Sequence, residues 1–433
     1  MNRPSRRSVW ALGKRLSLGV VDQSISSLTN FVAAVLVARA LSPAEFGAFS
    51  VAFAAYLVPL GISRALGSEV LVVRFAAQSQ EDRRRGVQAS AGSALLVALA
   101  GSAASLIGVA STSGPLQRTL VALAVTLPGL LVQDAWRYAF FNEGRGGKAV
   151  ANDLVWAFAL FPALILLTDA GILSSSLAFL AWGGSGTVAA LVGMVQAGTL
   201  PRPDRAPAWW RAHRDLGPRY VGEFMAFGAY QVAVLAVSVV AGLGAAGAFR
   251  AGQLLMGPIT VLFTGVGLVT IPEAARLAAM SLDRLRRAMA VLSWGLAALA
   301  AAWGAAVAVL PGAVGRGILE RAWGPGHAIV VPLALVMVGL GATGGAYTGL
   351  RALAAARRGL RARTIAAVLV LACTVAGAAV DGARGAAFGM AVATWMSLAL
   401  YWSQWRRALD ESRRRAAPAG REPSSAAPRG SWV

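Results

Sequence analysis

Apolar stretches of roughly 20 residues recur along the whole chain, separated by short segments that hold most of the charge. At a helical rise of 1.5 Å per residue, each stretch is long enough to cross about 30 Å of hydrocarbon. The pattern predicts spans at 16–39, 46–66, 86–110, 119–141, 149–168 and 175–199, then at 218–243, 254–275, 288–310, 328–350, 364–381 and 385–403. The fold class this implies is all-α and polytopic, about twelve transmembrane helices in two six-helix halves, 16–199 and 218–403. A basic segment, 1–15, precedes them, a linker at 200–217 joins them, and the tail at 404–433 is rich in Arg, Pro, Ala and Ser, which predicts disorder. The first stretch follows a basic segment, as a secretion signal does. It lacks a small-residue cleavage site after a short apolar core and is itself of spanning length.

Composition agrees: 57% of the residues are hydrophobic and 14% charged, with a mean hydropathy of +0.62, outside the balance of a soluble domain. The net charge of +21 would suit a nucleic-acid binder if the arginines formed a basic face with interleaved aromatics. They punctuate apolar spans instead, so they are topology signals, and no nucleic-acid partner is expected. Of the 40 Lys and Arg, 33 fall in segments on one side of the predicted membrane, against six on the other: Arg39, Arg118, Arg250, Arg316, Arg321 and Arg384. The positive-inside rule then places both termini in the cytoplasm. Arg outnumbers Lys by 38 to 2, which with abundant Ala and Gly points to a GC-rich bacterial genome and a bacterial plasma membrane. Cys373 lies alone in a span, and His213 and His327 are too few for a cluster, so no disulfide or metal site is expected.

An internal repeat appears at an offset near 200. Gly47-Ala48-Phe49 echoes Gly247-Ala248-Phe249, and Pro59 echoes Pro258. Asp22, Ser26 and Asn30 follow one another at i, i+4, i+8, as do Glu223, Phe227 and Gln231. The two halves therefore share one membrane orientation, which predicts a pseudo-twofold along the membrane normal and a cavity between them.

Ionisable residues inside spans are costly and mark cavities or buried pairs. Asp22, Asp134, Arg137, Asp153, Glu223 and Glu273 all lie within two or three turns of the predicted inner helix ends, with Arg64 and Glu69 flanking the inner end of the second span. Arg64 and Arg137 are the first candidates for contacting phosphate, because guanidinium forks match phosphate oxygens. Arg250, on the far side, is a candidate exit contact. The competing arrangement is structural pairing of Asp134 with Arg137 and of Glu273 with Arg276, both at i, i+3. Asp22 and Glu223 occupy matching places and either line the cavity or bind a coupling cation. No GxxxxGK[ST] loop is present, so the process is secondary or driven by the membrane potential, and no cofactor is expected.

The run Leu36-Val37-Ala38-Arg39-Ala40-Leu41-Ser42-Pro43-Ala44-Glu45-Phe46-Gly47 resembles the joint between the first two helices of polysaccharide flippases of the multidrug, oligosaccharidyl-lipid and polysaccharide exporter superfamily. Gly247 to Gln253 with Pro272-Glu273 is similar to that family's eighth helix. The resemblance implies export of a lipid-linked, polyprenyl diphosphate oligosaccharide by alternating access, with membrane lipids and enzymes of polysaccharide synthesis as partners and no enzymatic activity of its own. Arg64-Ala65-Leu66-Gly67-Ser68-Glu69 is similar to a reduced version of the Arg-rich run in peptidoglycan-precursor flippases. That branch's earlier arginine has no counterpart near Ala54 or Ala55, which argues against it. A drug or cation antiporter of the same superfamily is the first alternative. A membrane-embedded glycosyltransferase is the second, against which stands the scatter of outer-loop acids, Glu45, Asp169, Glu320 and Asp381.

Overall fold

A computed structural model describes the backbone of residues 6–75 and 78–416, with side chains from residue 22 onward except at 24, 217–227, 229, 230, 268, 269, 272 and 416. The first half comprises α1 (Arg6–Ala40), α2 (Pro43–Phe75), α3 (Gln80–Ala110), α4 (Gly114–Asn142), α5 (Gly146–Asp169) and α6 (Ser175–Ala197). The second comprises α7 (217–241), α8 (243–280), α9 (Leu282–Ala308), α10 (Val330–Ala352), α11 (356–380) and α12 (383–416). Among the described residues no strand occurs. Nine helical stretches among the described residues are long and apolar enough to cross a membrane by length and composition, and the last of them, Ala356–Arg415, reverses at Asp381 and Gly382 and so holds two spans. Gly382 has φ +49°, in the left-handed region that a side chain would resist. Shorter apolar helices at Ile25–Ala40 and Gly257–Gly267 belong to α1 and to the far part of α8.

Serines set several helix starts. Ser42 caps α2, with Pro43 in its first turn, by accepting from the Glu45 amide at 3.3 Å. Ser79 does the same for α3 through Asp82, and Ser174 for α6 through Leu177. Each satisfies an amide that the helix leaves without a partner.

Several helix ends depart from the hydropathy pattern. The N-terminal segment is helical from Arg6, and α2 runs nine residues past the expected end at 66. Residues 404–416, expected within a disordered tail, continue α12, with Arg358 donating to Glu411, Arg413 to Asp283, and Arg358 Nη1 to Gln404 at 3.2 Å. Residues 417–433 lie outside the described residues. The loop expected between 243 and 254 is instead a bend at Gly242 (φ +83°), after which residues 243–255 are the first part of α8; that helix breaks at Met256, ahead of Pro258.

The repeat has a direct structural meaning. Gly47 of α2 and Gly247 of α8 meet where the two halves cross: a Cβ on Gly247 would lie 2.3 Å from the Pro43 carbonyl oxygen and 3.0 Å from the Gly47 nitrogen. A Cβ on Gly47 would lie 1.9 Å from the Leu243 oxygen. The echoed glycines are thus partners of each other, and small residues permit backbones to touch at this depth. Gly247→Ala should destabilise the protein by about 1–3 kcal/mol, the usual cost of overpacking, and lower its melting temperature in detergent. Gly244→Ala, three residues away with nothing within 4 Å, should leave it unchanged.

The linker between halves is docked rather than free. Its short helix Ala206–Ala212 sends Trp209 Nε1 to the Leu66 oxygen at 2.9 Å and Trp210 Nε1 to Ser93 Oγ at 2.7 Å, and Arg74 pairs with Asp215 at 2.7 Å. Nearby, the hydrogen bond from Arg202 holds the Asp204 carboxyl below the usual carboxylate range.

Candidate functional site

The halves enclose a cavity of about 810 Å³, within the size range of ligand sites. Its first-half wall is apolar and aromatic, with Phe31, Phe49, Phe53 and Trp182. The rings of Phe53 and Phe179 stand 5.3 Å from that of Trp182, and Tyr56 stands 5.1 Å from it, so the wall is rigid. Trp182 Nε1 donates to Asn30 Oδ1 at 2.9 Å, fixing the amide at the cavity edge. The second-half wall carries three arginines, Arg250, Arg351 and Arg363, among Thr and Tyr side chains. No Asp or Glu among the described residues lines it.

Arg250 lies over the Phe53 ring at 5.2 Å and donates to Gln253 Oε1 at 3.2 Å, with no ion pair among the described residues. It is therefore a cavity residue, close to the crossing of the halves, where the sequence suggested an exit contact on the far side. Arg351 and Arg363 flank one ring, Tyr347, at 5.8 and 5.6 Å, and Arg351 Nη1 also donates to the Tyr347 hydroxyl at 3.1 Å. Arg363 Nε is buried without a hydrogen bond among the described residues. From the contact of Gly252 with Leu333 to Arg351, α10 advances about 27 Å. The cavity thus has cations near both ends and polar and aromatic surface between them.

The other predicted charges are distributed differently. Arg64 and Arg137 do not line the cavity: they are locked inside the first half. Arg64 donates Nε and Nη2 to the two oxygens of Asp134 at 2.9 and 2.6 Å. Arg137 binds Asp22 at 2.5 Å and lies 3.9 Å from Asp153, whose other oxygen accepts from Gln133 at 3.0 Å. The i, i+3 pairing of Asp134 with Arg137 is therefore replaced by a cross-helix exchange of partners, because bidentate geometry between facing helices is better than a glancing contact along one helix. Asp22 is fully buried, whereas Asn30 and Gln231, equivalent in the repeat, both line the cavity. Eight residues turn a helix face by about 80°, enough to aim Asp22 into the first half and Asn30 into the cavity. Glu273 is exposed and paired with Arg276 at 3.0 Å, away from the cavity. Glu69 is half-buried beside the π turn Arg64–Ser68. The side chain of Glu223 lies outside the described residues.

Tyr347, Arg351, Arg363 and Trp182 were not anticipated. Arg351 and Arg363 bracket the α10–α11 joint, and in sequence they are indistinguishable from the other basic loop residues that set topology. The available signal was Tyr347, one turn before Arg351 on the same face.

At the opposite end of the molecule from the joint of α10 and α11, Arg39 closes the halves together. Its Nη2 meets Glu320 Oε1 at 2.6 Å and its Nη1 the Gly317 oxygen at 2.6 Å.

Two six-helix halves of apolar, span-length helices around a cationic cavity define a multi-pass membrane protein. Residues 13–278 match the family described as polysaccharide biosynthesis protein, and the chain belongs to that family. Its fold is that of the MOP superfamily. It is similar to an inward-facing multidrug resistance MATE family transporter (TM-score 0.72, 13% identity, covering 92% of this chain and 99% of that one). It is also similar to the lipid II flippase MurJ in an inward closed conformation (TM-score 0.65, 11% identity, 92% and 91% covered). An outward-facing MATE family transporter superposes less well, at TM-score 0.61, 12% identity, with 93% and 96% covered. Among curated proteins, none matches the sequence.

Proposed function

We propose that the protein carries a polyprenyl diphosphate-linked oligosaccharide across a bacterial plasma membrane, from the cytoplasmic face to the outer one, for the synthesis of a cell-surface polysaccharide. The observation that carries this is the cavity: three arginines and no described carboxylate on its lining suit an anion and repel a cationic drug. Arg351 and Arg363 offer guanidinium forks for the diphosphate, and the aromatic and amide surface toward Arg250 suits sugar rings. The Arg39–Glu320 tie closes the outer end, so loading occurs from inside, and rocking of the halves about the Gly47–Gly247 crossing exposes the cavity outward. An inside-negative potential favours outward movement of an anion by about 2.3 kcal/mol per charge per 100 mV. A coupling proton or cation would sit in the first half, where three carboxylates face two guanidinium groups and Asp22 Oδ1 and Asp153 Oδ2 have no hydrogen bond among the described residues.

The test is reconstitution in liposomes carrying a labelled polyprenyl diphosphate oligosaccharide, with an external enzyme reporting label on the far leaflet. Protein-dependent transfer that rises with imposed potential is expected. Absence of transfer by folded protein under potential would shift the assignment to drug or ion antiport.

A further inference from the structure

A second concavity, of about 770 Å³, lies on the second half apart from the central cavity, between α9, α10 and α12. Its walls follow helical spacing. Arg286, Ala290, Ser293 and Trp294 lie on one face of α9, and Leu398, Trp402, Trp405, Arg406, Leu409 and Arg413 on one face of α12. From helix end to membrane interior α9 passes from Arg286 to Trp294, and α12 passes from Arg413, Asp410, Leu409 and Arg406 to Trp405, Trp402 and Leu398, so that on both helices the charged side chains precede the wholly uncharged stretch. Trp294 is eight residues in from Arg286, and Leu398 eight in from Arg406, about 12 Å in each case. The groove is thus basic at the Arg-rich end and apolar toward mid-membrane.

Not all of its charge is available. Arg413 is engaged by Asp283, and Asp410 lies 4.0 Å from it. Arg286 and Arg406 are exposed and form no ion pair with any described residue. Trp294, deeper in, is 76% exposed, while Trp402 is fixed by its Nε1 donating to the Ala342 oxygen at 3.0 Å. An open indole on the apolar side of two uncompensated guanidinium groups is the arrangement that an amphiphile with an anionic head would complete.

We infer that this groove is a binding site for a phospholipid with a net-negative phosphate head, the phosphate between Arg286 and Arg406 and one acyl chain along Trp294 and Leu398. The charge gradient along both helices selects this occupant over a soluble anion, which has no use for the apolar wall, and over a zwitterionic lipid, whose choline offsets the phosphate. The inference is independent of what the central cavity carries.

Native mass spectrometry of the detergent-purified protein, titrated with phosphatidylglycerol or phosphatidylcholine of the same chains, tests it. Phosphatidylglycerol should be retained, and Arg286→Gln/Arg406→Gln should weaken it about 30-fold, close to 2 kcal/mol for two basic residues at about 1 kcal/mol each. Arg284→Gln/Arg407→Gln, which removes the same charge from the same helices outside the groove, should not. Trp294→Ala should weaken both lipids alike. Equal losses from the two double variants, equal retention of the two lipids, or displacement of phosphatidylglycerol by inorganic phosphate would each overturn the site. A protein dimer that dissociates in Arg286→Gln/Arg406→Gln, without lipid discrimination, would assign the groove to a second copy and equally overturn it.

Discussion

Arg351→Gln/Arg363→Gln should lower transfer of the lipid-linked oligosaccharide about 100-fold while moving the melting temperature little. The two guanidinium groups face one ring from within the cavity, and no described carboxylate shares the lining. Removing them orphans no buried acid, so the fold loses no ion pair. What is lost is a pair of charged contacts to phosphate, at about 1.5 kcal/mol each from the lower end of the range for charged hydrogen bonds. The sum, about 3 kcal/mol, is roughly two decades in rate or affinity. The lysine pair should recover only part of this, because an ammonium keeps the charge and loses the fork. Wild-type transfer by the glutamine pair, at equal protein in the liposome, would remove these residues from the substrate path and with them the main support for an anionic substrate.

How much of this was legible in the sequence depends on the kind of signal. Span number and the two-half organisation are visible because hydrocarbon forces about 20 apolar residues per crossing, and the offset of 200 between Gly47 and Gly247 marks a contact as well as a repeat. Asn30 and Gln231, which share the spacing of the repeat, both line the cavity. What hydropathy cannot carry is the direction of a charged side chain around its helix. Arg64, Arg137 and Asp22 satisfy each criterion for cavity residues, namely cost, depth and clustering, yet all three point into the first half. Arg351 and Arg363 show the reverse error. Loop arginines that set topology and loop arginines that close a cavity have the same sequence signature, and only the antiparallel placement of α10 and α11 around Tyr347 separates them.

The first-half lock yields the second large effect. Asp134→Ala takes from Arg64 its bidentate partner, and breaking one side of such a pair costs about 3–5 kcal/mol. Arg64 keeps 31% of its side chain exposed against 7% for Asp134, so some of its charge reaches solvent and the lower end, about 3 kcal/mol, is expected. Arg64→Gln abandons the more deeply buried partner, which water does not reach, and should cost at least as much; both single variants should therefore melt at much reduced temperatures, Arg64→Gln no higher than Asp134→Ala. Replacing both, as Arg64→Met/Asp134→Leu, removes two charges together and should restore most of the stability, as apolar substitution of whole buried pairs often does. Thermal melts of the four proteins close the cycle and give the coupling directly. Transfer measured on the same four then separates two roles. If the doubly apolar protein is stable and transports, the pair only holds α2 against α4. If it is stable and inert, either Arg64 exchanges Asp134 for the anionic substrate or Asp134 exchanges Arg64 for the coupling cation during the cycle, and the π turn at Arg64–Ser68, tied to the linker through Trp209, becomes the segment that moves when it does.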